Sequence, residues 1–138
     1  KDVREMGRTA SGIAAIRLKK GDFVAGLDII KEVESGSGKL RILTIMSHGF
    51  AKQTPLKDYK LQRRGGSGLK TAKVTEKTGP VISANIVTDD TEEVLAFSSK
   101  GQALKTKLSN IRVAGRATQG VRIMNLDSSD SLVGIVCL

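Results

Sequence analysis

The sequence predicts an all-β fold built from a repeated, propeller-like unit, and three features predict it. The chain matches itself at a spacing of about 52 residues and again at about 108. Its apolar stretches are runs of roughly five to seven residues bounded by turn sequences, a length that suits strands and is too short for convincing helices. No segment carries a sustained apolar stripe at the roughly 3.6-residue period of a helix.

The repeat is plainest where residues 40–68 lie over residues 92–120 without a gap. Leu43 then meets Leu95, Gly49 meets Gly101, Ala51 meets Ala103, Thr54 meets Thr106, Leu56 meets Leu108, Arg64 meets Arg116 and Gly68 meets Gly120. Residues 3–26 lie over 111–134 in the same way, bringing Gly7, Arg8, Gly12, Leu18, Asp22 and Gly26 onto Gly115, Arg116, Gly120, Leu126, Asp130 and Gly134. Three copies follow, with approximate bounds 1–39, 40–91 and 92–138, the first entered partway and the last cut short. In the middle copy Ile42, Leu43, Ile45 and Met46 precede the turn Ser47-His48-Gly49, and residues 50–54 return towards Pro55, which reads as a hairpin. The third copy repeats it with Val94, Leu95 and Phe97, the turn Ser99-Lys100-Gly101 and residues 102–107. A second hairpin is expected from residues 69–74, the turn Lys77-Thr78-Gly79 and residues 81–87, ended by Asp89-Asp90. Four short strands per copy resemble a propeller blade.

Charge narrows the partner. The 138 residues hold 23 Lys and Arg against 14 Asp and Glu, a net charge of +9, and an excess of that size favours a polyanion over an acidic small molecule. A membrane is excluded as that partner, since no apolar stretch approaches the roughly 18 residues of a spanning helix and the first residues lack a signal-peptide core. The chain therefore reads as cytoplasmic. Aromatic residues are limited to Phe23, Phe50, Phe97 and Tyr59, which disfavours modules that stack single-stranded bases, whereas binding the backbone of a duplex needs no such platforms. The single cysteine, Cys137, ends an apolar run and reads as a small core residue; it excludes an internal disulfide. One histidine, His48, cannot make a His-based metal site. Asp89, Asp90, Glu92 and Glu93 lack metal-loop spacing and read as a solvated turn. The segment Gly66-Ser67-Gly68-Leu69-Lys70-Thr71 fails as a phosphate-binding P-loop because Leu69 stands where a glycine is needed.

Gln62-Arg63-Arg64-Gly65-Gly66-Ser67-Gly68 is the candidate binding element, flanked by Lys60, Lys70 and Lys73. Its glycines let the backbone approach a ligand, and its paired arginines offer forked donors that match phosphate oxygens. The segment resembles the seven-residue gyrase box that marks the C-terminal domains of DNA gyrase A subunits, with Ser67 in place of the usual lysine. Gly7-Arg8-Thr9-Ala10-Ser11-Gly12 and Gly115-Arg116-Ala117-Thr118-Gln119-Gly120-Val121 are similar to the degenerate copies found in other blades of that family.

The resemblance implies a β-pinwheel, a six-bladed disc whose neighbouring blades exchange strands and around whose basic rim duplex DNA wraps. The chain would supply about three blades, the C-terminal half of the disc, since residues 111–138 read as a final blade. It implies no catalysis and no cofactor for this chain. As partners it implies double-stranded DNA, the gyrase B subunit, and the rest of the gyrase A subunit, within an ATP-dependent type IIA topoisomerase that introduces negative supercoils. In the family the box sits in the first blade, whereas here it occupies a middle copy, so the chain carries either a second box or another blade order. The DNA track is expected to comprise the box, residues 62–68, with Lys70, Arg8, Arg17, Lys52, Lys105, Lys107, Arg112, Arg116 and Arg122. Tyr59 falls opposite Ile111 in the repeat and is read as a packing residue. Two other readings stand beside this one: the corresponding domain of topoisomerase IV, against which the well-formed box argues, and a stand-alone β-repeat module that binds protein or structured RNA.

Overall fold

The computed structural model describes residues 3–30 and 40–138. Among them seven strands form: β1 (Arg41–Met46), β2 (Phe50–Pro55), β3 (Val81–Val87), β4 (Glu93–Ser98), β5 (Ala103–Lys107), β6 (Val121–Arg122) and β7 (Leu132–Cys137). β1 and β2 make the antiparallel hairpin set up by the turn at residues 47–49, and β4 and β5 repeat it around residues 99–101. Each hairpin runs into a short 3-10 turn, Leu56–Asp58 in one and Leu108–Asn110 in the other. β3 pairs antiparallel with β1, as β7 does with β4, and the register shifts at repeat-related places, between Ile45 and Met46 and between Phe97 and Ser98.

Strand exchange joins the two units. β6 pairs with β2, Phe50 opposite Arg122 and Ala51 opposite Val121, so the orders are β3-β1-β2-β6 in one sheet and β5-β4-β7 in the other. Two expectations are corrected here. Residues 69–74 form no strand, and β3 takes β1 as its partner rather than that segment. A strand needs a neighbour's backbone to satisfy its own, and Leu69 and Lys70, which repeat spacing sets opposite Val121 and Arg122, have no strand beside them among the described residues. Among the described residues a four-stranded blade thus occurs once, completed by the next copy. In residues 3–30 no strand forms, and Ile16 makes a single bridge to Gly66; the rest of the first copy, residues 31–39, lies outside the described residues, as do Lys1 and Asp2.

The main core lies between the sheets. Leu43 and Ile45 of β1 cluster with Val94 and Ala96 of β4, together with Val87, Leu108, Ile111 and Leu132, each large aliphatic chain contributing about 1.5 to 3 kcal/mol by burial. Their repeat partners behave differently: Leu95 is half-buried and Phe97 exposed, because β4 turns its other face to the core. No helix among the described residues is long and apolar enough to cross a membrane.

Asp130 closes the second unit. Its Oδ1 accepts hydrogen bonds from Ser99 Oγ at 2.7 Å and from the N–H groups of Lys100 and Ser131 at 3.1 and 2.8 Å, bracing the β4–β5 turn. Burial alone would raise this carboxyl, but the Ser98 and Ser99 hydroxyls and the Ser131 and Lys100 N–H groups outweigh it and hold the pKa down at about 2. A carboxylate stabilised in the fold contributes above its ordinary pKa of 3.8 and loses that contribution as pH falls towards 2. Asp130→Asn is therefore expected to be less stable than the unsubstituted chain at pH 6, with the gap closing below about pH 4. Urea melts across that range check it; a gap that does not change with pH would show that the charge has no part.

Candidate nucleic-acid interface

Beyond β2 the chain passes through Tyr59 and opens into the box. Gly65 and Gly68 take φ of 70° and 72°, a left-handed conformation that side-chain-bearing residues avoid. The loop is held from behind: Gly65 N–H donates to the Ala15 carbonyl and Arg17 N–H donates to the Gly66 carbonyl, both at 2.8 Å. Arg17 is thereby pinned beside the box by its backbone. Gln62, Arg63, Arg64, Gly66, Ser67, Gly68 and Lys70 are exposed, and Gly65 is half-buried.

A second loop, residues 115–120, bulges from the edge of β2. It is attached on one side where Gln53 N–H donates to Arg112 C=O and Ala114 N–H donates to Gln53 C=O, at 3.0 and 2.8 Å, and on the other where Ala51 meets Val121. Side chains of three successive β2 residues tie down this loop and the segment that leads into it. Thr54 Oγ1 donates to Ala114 C=O, and Gln53 Nε2 donates to the carbonyls of Leu108 and Ile111. Lys52 Nζ donates to the carbonyls of Gly115 and Arg116 at 2.7 and 2.6 Å and to Thr118 Oγ1 at 3.3 Å. The two loops are neighbours: Lys73 N–H donates to Thr118 C=O at 3.0 Å, and the Arg116 guanidinium lies 5.8 Å over the Tyr59 ring.

This arrangement has relatives. The profile of the DNA gyrase C-terminal domain, a β-propeller, matches residues 1–31, 41–88 and 92–138. The chain belongs to the DNA gyrase C-terminal domain family. It is 41% identical over 136 residues to the DNA gyrase A subunit of Thermotoga maritima, covering 98% of this chain and 16% of that protein. Against the DNA gyrase A subunit of Staphylococcus aureus it is 37% identical over 134 residues, 97% of this chain and 14% of that protein. A solved DNA gyrase A C-terminal domain superposes with a TM-score of 0.81 at 27% identity, over 99% of this chain and 44% of the other. The C-terminal domain of DNA topoisomerase IV follows with 0.64 at 27% identity, over 72% and 30%. The chain therefore spans about a sixth of the curated gyrase proteins it matches.

Within this gyrase-family fold the cations expected on one track are sorted into several places, and Lys52 stands apart from the others. Lys52 is fully buried, 0% exposed, and all three of its N–H donors point at loop acceptors, so it does not face an external phosphate. Burial first, and the Arg116 charge second, lower its pKa from 10.5 to about 8. Lys105 is paired with Glu93 at 2.5 Å. Lys107 and Arg112 line a groove of about 550 Å³ that also holds Asp89, Glu92 and Glu93, where an Arg41–Asp89 ion pair of 2.8 Å stands. Arg122 lies 5.1 Å from the Phe50 ring, with Lys77 at 5.7 Å. Arg8 occupies an exposed turn closed by Ala10 N–H donating to Gly7 C=O.

The sequence placed Lys73 beside the box and read Tyr59 as a packing residue, but it did not show the Lys73–Thr118 hydrogen bond or the contact of Tyr59 with Arg116. Tyr59 is half-buried and shares a 2.5 Å hydrogen bond with Thr71 Oγ1, presenting its ring to Arg116. The signal available was the repeat itself, which sets Arg116 opposite Arg64 and so places a second cationic loop beside the first.

Proposed function

We propose that the chain is a non-catalytic duplex-DNA-binding and wrapping part of a gyrase A subunit. It acts with the gyrase B subunit, and with the remainder of its own polypeptide, in ATP-dependent negative supercoiling. The observation that carries this reading is the pair of adjoining loops, 62–75 and 115–120, which gather Arg63, Arg64, Lys70, Lys73 and Arg116 on exposed or half-exposed ground. Contacts of this kind engage phosphates rather than base edges, so affinity depends little on sequence and falls steeply with salt as condensed counterions are released. Curving 20 to 30 base pairs by 40 to 90° costs on the order of 1 to 6 kcal/mol, within reach of several such contacts.

Incubating the chain with relaxed plasmid and a nicking-closing topoisomerase, then removing protein, tests it. A wrapper leaves a linking-number change that grows with protein and disappears at high salt. Binding by gel shift with no linking-number change would reduce the chain to a simple DNA binder, and a preference for structured RNA would favour the stand-alone module. The topoisomerase IV reading is weaker because the box is well formed here.

A further inference from the structure

The loop that carries Arg116 belongs to the third copy, but the groups that hold it belong to the middle one. Lys52 has three N–H donors, and its three acceptors, Gly115 C=O, Arg116 C=O and Thr118 Oγ1, use them all. Thr118 Oγ1 also lies 2.8 Å from Gly115 C=O, closing the loop on itself. An ammonium is costly to bury, and an aliphatic residue would fill a strand interior without that cost. The repeat supplies the comparison: Thr44 faces Lys52 as Ala96 faces Leu104. Leucine occupies the equivalent place on β5, where no strand and no such loop lies alongside among the described residues. Lysine stands where loop carbonyls must be met. Beyond the loop, Tyr59 is fixed by its hydroxyl to Thr71, and its ring lies under the Arg116 guanidinium.

We infer that Lys52 and Tyr59 are positioning residues for a DNA contact made by the next copy: Lys52 fastens the backbone of residues 115–118, and Tyr59 carries the Arg116 guanidinium towards phosphate. The inference rests on the DNA-binding reading above.

The test measures affinity of the chain for a short mixed-sequence duplex as a function of salt. Arg116→Ala is expected to weaken binding about tenfold and to reduce the salt slope by about one. Lys52→Met, which keeps the stem and removes the charge, should match that loss, and Lys52→Met with Arg116→Ala should be no worse than either alone. Tyr59→Phe keeps the ring under Arg116 but loses the hydroxyl bond to Thr71, and should weaken binding less than Tyr59→Leu, which removes the ring. Wild-type binding by Lys52→Met, or losses that multiply in the double variant, would overturn the role of Lys52. Should Lys52→Met fail to fold, the tyrosine pair decides: equal affinity of the Phe and Leu variants defeats the assignment. An unsubstituted chain that does not bind the duplex at low salt defeats instead the reading on which it rests.

Discussion

Arg63→Ala combined with Arg64→Ala is expected to abolish the linking-number change that the unsubstituted chain leaves in relaxed plasmid. Both arginines sit in the exposed box, next to the left-handed turn at Gly65. Each presents a planar fork that pairs with phosphate oxygens in a way a lysine cannot reproduce. Losing two such contacts removes about two from the salt slope and on the order of a hundredfold in affinity. Wrapping suffers more than binding, because the bend is sustained only while successive contacts hold the duplex against its stiffness. The melting temperature of the double variant is the control that separates lost DNA contacts from lost stability. Unaltered wrapping by the double variant would remove the box from the mechanism.

Gly120→Ala is expected to cost about 2 to 5 kcal/mol, the sum of a left-handed backbone penalty and overpacking. Gly120 has φ 78°, and a Cβ there would stand 2.2 Å from the Ala51 carbonyl oxygen and 2.8 Å from its carbon. Those are backbone atoms of β2 and cannot swing aside. A fall in melting temperature on the order of 10 °C follows for a chain of this size. Gly101 supplies the control, for its φ is 82° yet nothing lies within 4 Å of the added atom. Gly101→Ala should carry only the backbone part, about 1 to 2 kcal/mol. Equal losses in the two variants would show that close approach to Ala51 is not what demands glycine.

These two glycines also mark how far the fold was legible. Gly101 closes a hairpin turn, and its requirement is local, written in the alternation of β4 and β5 and in Ser99-Lys100-Gly101 between them. Gly120 is needed because β2, almost seventy positions earlier, runs against it, although the repeat had already set it beside Gly68. The box was readable from its composition, and the resemblance drawn from it agrees with the family to which the chain belongs. The expected strand over residues 69–74 failed for the complementary reason: its apolar content was there, but pairing depends on a neighbour that a local pattern does not contain.

Lys52 separates the two kinds of information most sharply. The sequence by itself determined the all-β class, the two hairpins, the repeat and the glycine-rich basic loop, since strand alternation, turn chemistry and backbone freedom act over a few neighbouring residues. Whether a lysine on such a strand reaches a phosphate or the carbonyl of a residue 63 positions away was decided only in three dimensions. Desolvation and hydrogen bonding depend on which distant segment lies against the strand, and the exchange that brings β6 to β2 is what put residues 115–118 over Lys52.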